Sequence, residues 1–458
     1  MTQDANERVD LITGDPKKAL RKLSWPMMIS MFLIMSYNIA DTIWVAGLGT
    51  DPLAALGFIS PLFMIIIGLG NGIGAGATSS IARFIGASDK HKANNAALHS
   101  ILITLVSSIA IPIIAILILE PVSILMGAEK VLDLTLEYGY IVFIGSFAFL
   151  IPSVGAAILR AEGDMRRSTI SIAVTAVLNV VIDPIFIYTL NMGVGGAAIA
   201  SVLSSLISSI VIFYWILIKK DTYLSLKFKE FKYNGEIIKD ILLVAMPASV
   251  ENLVMSILSM VINVMLAIVA GTVSVAIFTA GWRIVNLGMV PVIGIATAAI
   301  TVGGAAYGAR NYDKINITFD YSLKLGILTA IPITLIIYFF APQIAMIFSY
   351  SDASSSLSPL MANLLRVLSL FFIAIPLGMI PASMFQSFGK GMYSLGLTIL
   401  RELIFTIIFA YLLGFTLGFG EGGIWWGTVI GAFIGGFIAY VFFKIYIMKL
   451  KKYFNSND

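Results

Sequence analysis

The sequence predicts an all-α membrane protein: twelve transmembrane helices in two six-helix bundles, related by a pseudo-two-fold axis along the membrane normal. Three observations carry that prediction. Hydrophobic residues make up 59% of the chain and charged ones 12%, with mean hydropathy +0.96, more apolar surface than one soluble core hides. Twelve apolar runs reach spanning length. The second half then repeats the punctuation of the first, 221 to 227 residues later.

In chain order the runs are about 20–47, 53–82, 96–119, 133–159, 167–190, 195–218, 237–269, 275–305, 318–341, 358–386, 393–417 and 423–448. Short turn-like stretches separate them, such as GLGTDP, ASDKHKANN, RAEGDMRR, GTVS and SYSDASSS. The expected organisation is a cytosolic tail at 1–19, an N-terminal lobe at 20–218, a linker at 219–236, a C-terminal lobe at 237–448 and a tail at 449–458. Residues 1–19 carry Asp4, Glu7, Asp10 and Asp15 and no apolar run, so they are not read as a signal peptide.

Orientation follows from Lys and Arg. With the termini and alternate loops assigned to one side, that side holds 25 of the 29 basic residues. The other side has only Lys130, while Arg283, Arg366 and Arg401 fall inside spans. Positive charge stays in the cytosol, so both termini are expected there.

The repeat is specific. Pro26 opens the first span and Pro247 the seventh; RFIGASDK (83–90) answers AAYGARNYDK (305–314); LIPSVGAAILRAEGD (150–164) answers AIPLGMIPASMFQSFGK (374–390). Six helices per copy is even, so both copies keep one orientation and enclose a cavity. That favours an alternating-access transporter over an embedded enzyme. The glycine-rich GLGNGIGAGA (68–77) matches a dinucleotide fingerprint loosely, but no strand precedes it, so it reads as close helix packing.

Other chemistries are poorly equipped. The chain has no cysteine, and its two histidines, His91 and His99, make a poor metal kit. A net charge of +4, with basic residues flanking apolar runs, does not suggest nucleic acid. No resident cofactor is expected.

Polar residues inside spans mark function. In the first span, Tyr37 and Asn38 lie four and three residues before Asp41, on one helical face. At 1.5 Å per residue, Asp41 lies about 32 Å into its span, Asp183 about 24 Å into the fifth, and Ser201 about 9 Å into the sixth from the opposite side. All three fall in the outer half of the membrane. Asn179 precedes Asp183 by one turn, and Pro184 removes a backbone N–H and frees the Val180 carbonyl. Two carboxyls, an amide and a hydroxyl at one depth describe an oxygen-rich cation site. The second half offers only Glu251 and Arg283 at matching depth, expected as a structural ion pair with Arg366 as rival partner, so coupling is expected in the first half.

The whole chain resembles the multidrug and toxic compound extrusion (MATE) family, in its DinF-like, archaeal-type branch. The resemblance rests on GDPKKAL (14–20), LSWPMM (23–28), YNIADTIWV (37–45), ARFIGASD (82–89), LRAEGD (159–164) and LNVVIDPIFIY (178–188). It implies export of amphipathic, often cationic, organic compounds against inward H⁺ or Na⁺ flow, by a monomer in the lipid bilayer of the cell membrane. Asp41, Asn179 and Asp183 match the family's first-lobe cation site, with Tyr37 beside it. Ser201 stands where related members often have Thr, and Pro26 matches the proline at which the first helix is thought to bend. Met31, Ile34, Asn38 and Ala156 fall on the implied substrate cavity; family members often carry polar residues where Ile34 and Ala156 stand, which implies a more apolar ligand here. The competing readings are a lipid-linked precursor flippase and a membrane-embedded prenyltransferase. The first should line its cavity with more Arg and Lys than Arg283 and Arg366; the second needs an aspartate-rich motif that the chain lacks.

Overall fold

The computed structural model describes residues 3–219, 221–227, 229, 231–348 and 357–455. The expected loop SYSDASSS (349–356), Lys220, Phe228 and Glu230 of the linker, the first two residues of the N-terminal tail and the last three of the C-terminal tail lie outside the described residues. Described residues form helices and turns, without a strand. The helices are α1 (Gln3–Thr13), α2 (Pro16–Ala46), α3 (Thr50–Gly86), α4 (Lys90–Leu125), α5 (Leu132–Ile144), α6 (Ser146–Ala161), α7 (Met165–Pro184), α8 (Gly193–Phe213), α9 (Gly235–Gly308), α10 (Tyr312–Phe339), α11 (Ala341–Phe348), α12 (Ser358–Ser369), α13 (Phe371–Ser387), α14 (Gly391–Thr398), α15 (Thr406–Tyr411) and α16 (Gly420–Asn455).

Ten described helices are long and apolar enough to cross a bilayer, and the pair α5–α6, bent by 44°, makes another span. The 74-residue α9 is two spans. Its helical geometry breaks at Gly271 (φ 78°), a left-handed conformation that glycine adopts without a Cβ penalty. Twelve spans result.

The duplication is written into the backbone. Gly49 and Gly271 both take positive φ, as do Ser88 and Arg310, Gly163 and Gly389, Asn191 and Gly418, and Gly193 and Gly420. Asp89 caps α4 and Asn311 caps α10, each side chain accepting from the backbone N–H three residues on. A five-residue π turn follows α7 at Ile185–Thr189, and another follows α15 at Leu412–Thr416, 227 residues later. The offset grows from 226 at Gly163 to 227 there. A π segment at Ile399–Phe405, between α14 and α15, inserts the extra residue.

The chain divides into two compact units, one of residues 1–15 and 29–249, the other of 16–28 and 250–458. Both spans that open a repeat change unit just past their proline, α2 between Met28 and Ile29 and α9 between Ser249 and Val250. The α3 glycines show how such segments seat. Gly70 and Gly74 face α6, and a Cβ on Gly74 would come 3.2 Å from the Ala157 Cβ. Gly76 faces the first turns of α9, where a Cβ would meet the Ile241 carbonyl oxygen at 2.5 Å. Lipid tails are as apolar as leucine, so close backbone approach is what holds such helices together. In the second unit Gly294 receives the start of α2 in the same way, against Met28 and Ser24.

Candidate functional site

The site is built on α7. Asn179 and Asp183 are one turn apart, both buried, and the Asn179 amide donates to the Asp183 carboxyl at 3.1 Å. The same amide nitrogen donates to the Ser201 hydroxyl of α8 at 3.1 Å. From α2, the Asp41 carboxyl lies within hydrogen-bonding reach of Asp183. Tyr37 sits one turn before Asp41, half-buried on the same helix.

Two stitches hold α2 to this helix. The Ser30 hydroxyl donates to Thr169 of α7 at 2.9 Å, and the Tyr188 hydroxyl, from the π turn after Pro184, donates to the Trp44 carbonyl at 2.5 Å. The Trp44 and Tyr188 rings meet edge-on. The Asp41–Asp183 approach falls between these two points in sequence.

Three oxygens in this cluster have no hydrogen-bond donor: Asp41 Oδ1, Asn179 Oδ1 and Asp183 Oδ2. A buried polar atom left without a partner costs on the order of 1–3 kcal/mol, and more when charged. Two carboxyls in a low dielectric do not both stay ionised unless positive charge joins them. The donor set is therefore suited to a hard monovalent cation or to protons.

Tyr138 of α5 was missed in the sequence. It is buried and lies close to Asp41, Asp183 and Tyr37. A buried tyrosine in a span is a signal, because its hydroxyl needs a partner. Nothing in the sequence says which helix α5 faces.

The remaining cavity candidates are spread out. Met31 and Ile34 are half-buried and Asn38 exposed on α2, and Ala156 is buried in α6. Pro26 lies inside α2, which stays helical through it.

The expected Glu251–Arg283 ion pair is corrected by the structure. Glu251 accepts from Ser394 at 2.7 Å and from Gln386 at 3.1 Å, while Arg283 is exposed. Depth matched the two residues, but depth fixes height along a helix and not which face points inward. The rival Arg366 is half-buried in α12 and makes no ion pair among those found in the described residues. The buried arginine of this unit is Arg401, bonded to Glu402.

The repeat equivalents, 227 residues on, show what the second unit does with the same positions. Asn179 becomes Thr406, Asp183 becomes Ala410 and Ser201 becomes Thr428. Ala410 is fully buried in an apolar core with Leu258, Ile262 and Trp425. Thr406 and Thr428 spend their hydroxyls on backbone carbonyls of their own segments. The acid and the amide are absent there.

Comparison with known proteins agrees with this layout. The MatE family description matches twice, over residues 26–185 and 247–412. A solved outward-facing structure of a multidrug resistance MATE family transporter superposes with a TM-score of 0.95 at 41% identity, covering 99% of this chain and all of that one. The probable multidrug resistance protein NorM of Thermotoga maritima is 26% identical over 78% of each chain. An FAD transporter of Shewanella oneidensis is 26% identical over 75% of this chain and 76% of its own. The two family matches start at Pro26 and Pro247 and end at the first residue of each five-residue π turn, so they fall on the structural repeat; the chain belongs to the MatE family.

Proposed function

We propose that this protein is a cation-coupled antiporter that exports amphipathic organic compounds, cationic ones included, by alternating access. One observation carries the reading: a cluster of buried Asp183 and Asn179 with half-buried Asp41 and Ser201 within membrane spans, holding three buried oxygens without a donor. H⁺ or Na⁺ supplies the missing positive charge, and exchange of that charge is tied to the state of α2 through Asp41. Asn179 orients Asp183 through its amide, and Ser201 fixes the orientation of Asn179. Pro26 lets α2 bend where it passes from one unit to the other.

The protein acts as a monomer in the cell membrane, termini in the cytosol, with no resident cofactor and no enzymatic step. Multidrug relatives and an FAD transporter support a small organic cargo over a flippase's lipid-linked substrate. Purified protein in liposomes, given Na⁺ and H⁺ gradients separately, tests the reading. Dye transport driven by one or both gradients is expected; transport insensitive to both overturns it.

A further inference from the structure

An apolar crevice opens on the first unit beside the linker. It holds about 150 Å³ between α4, α6 and the π segment Tyr214–Lys219 that continues α8. Val154 and Ile158 of α6 and Ile216 of that segment form its buried floor, while half-buried Ile101 and exposed Leu105 of α4 stand at its mouth. Leu226 of the linker completes the lining. The Thr104 hydroxyl in its wall donates to the Ser100 carbonyl at 2.7 Å. A cavity of this size walled by Leu, Ile and Phe stays dry and takes hydrocarbon.

The second copy of the repeat fills the same place with its own side chains. Ile216 corresponds to Phe443 at the 227-residue offset of Gly193 and Gly420, and Leu159 to Phe385 at the 226-residue offset of Gly163 and Gly389. Ala97 corresponds to Phe319 at the 222-residue offset of the Asp89 and Asn311 caps. These three phenylalanines are fully buried, with ring centroids 4.4 Å apart for Phe319 and Phe443 and 5.1 Å apart for Phe385 and Phe443. The first unit has three smaller side chains there, so its seam is short of carbon and open toward the bilayer.

Bases are held around the linker side of the crevice. Lys227 follows Leu226 and is exposed, and Lys90, at the start of α4, lies close to it and over the Tyr223 ring at 4.7 Å. The linker is stitched to α4 there: Asn94 accepts from the Ser225 backbone N–H at 2.9 Å, and Asn95 donates to the Lys232 carbonyl at 2.8 Å. Nearby acids have partners of their own. Glu162, close to Lys90, binds the Leu224 N–H, Asp221 binds Arg167, and Asp89 binds Lys92. Basic residues at the membrane edge of a helix seam suit the phosphate of a lipid.

We infer that this crevice holds one acyl chain of an anionic phospholipid from the leaflet on the linker side, with the lipid phosphate against Lys90 and Lys227. The chain supplies the carbon that three rings supply in the second unit. The inference needs only the membrane-spanning fold and stands apart from the export reading.

The test uses full-length protein in detergent, phosphatidylglycerol and phosphatidylcholine with identical chains, and a phosphatidylglycerol carrying a diazirine in its acyl tail. In native mass spectrometry, wild type is expected to bind its first phosphatidylglycerol about three- to tenfold more tightly than its first phosphatidylcholine, the size of one or two charge contacts at a membrane surface. Photolysis should place the tail on residues 101–105, 151–158 and 212–216. In the double variant Lys90→Gln, Lys227→Gln the affinity ratio should fall to about one. Ile216→Phe copies the ring of the second unit and should lower binding of both lipids; Leu105→Trp, at the exposed mouth, repeats that test without touching the floor. Equal affinity of wild type for the two lipids, an unchanged ratio in the double variant, or photolabel spread evenly over both units overturns the site. So does unchanged lipid binding in both crevice variants. Loss of the label to an exported dye would make the crevice a cargo path, and a dimer crosslinked through α4 would give it to a second copy; either overturns the lipid assignment.

Discussion

Asp41 and Asp183 bring their carboxyl groups together from α2 and α7, and neither is matched by a basic residue among the ion pairs of the described residues. Their surroundings differ. Asp183 is fully buried and takes the Asn179 amide, whereas Asp41 is half-buried on the helix that crosses between units. Asp183→Asn is therefore expected to weaken Na⁺ binding at least tenfold in isothermal titration. Asp41→Asn should keep part of that binding and yet uncouple export. The reverse pattern would swap the two roles, and normal export by both variants would move the site elsewhere.

Pro26 sits just before the point where α2 changes unit. Replacing it restores a backbone donor and stiffens the helix there. Pro26→Ala should fold, bind dye with wild-type affinity and export several-fold more slowly. Wild-type export rates from this variant would leave the proline with a packing role.

Sidedness has a direct check in a chain without cysteine. Lys229→Cys, in the linker, and Lys130→Cys, in the turn before α5, are both exposed. An impermeant maleimide applied to intact cells should label position 130 and not 229. Labelling of both from outside would refute the orientation.

The linker end of the first unit titrates. Glu162, in the turn after α6, accepts from the Leu224 backbone N–H of the linker at 3.0 Å, and burial pushes its carboxyl from 4.5 up to about 7. Beside it Asp164 binds Arg8 of α1 at 2.9 Å, and Asp221 binds Arg167. Between pH 4.5 and 7 the unfolded carboxyl loses its proton while the folded one keeps it. The stability that the closed, buried Glu162 contributes is thus full below about 4.5 and is lost as pH rises through 7, by up to about 3 kcal/mol, because burial of the ionised carboxyl outweighs its bond from Leu224. Hydrogen exchange at residues 221–227 should be faster at pH 8 than at pH 5 after correction for intrinsic rates. Glu162→Gln should flatten that difference; an unaltered pH profile in the variant would exclude Glu162 as its source.

Much of this was legible because the membrane imposes long apolar periods. Spans, turns and the repeat follow from hydropathy and from paired prolines and glycines, and the GTVS turn expected near 271 is where α9 breaks. Asn179 and Asp183 were readable together because one helical turn joins them. Residues on different helices were harder. Tyr138 and Tyr188 meet the site through helix rotation, which no spacing within one helix encodes. Glu251 found Gln386 and Ser394 more than 130 residues away for the same reason, while the depth argument pointed to Arg283. The π insertion at Ile399–Phe405 has no sequence mark beyond a one-residue change in repeat offset.

Ala410 in place of a second Asp183 has a thermodynamic consequence. Under the proposed cation coupling, the single Asp41–Asp183 pair gears a turnover to the one or two monovalent charges which two carboxyls hold. Each charge moved through 100 mV supplies about 2.3 kcal/mol, roughly a fiftyfold concentration ratio of neutral cargo. A second acidic pair at the 410 position would draw on twice the charge and spend twice the ion gradient per molecule expelled. Filling one copy with apolar core lowers the ceiling on accumulation and makes each export event cheaper to the cell.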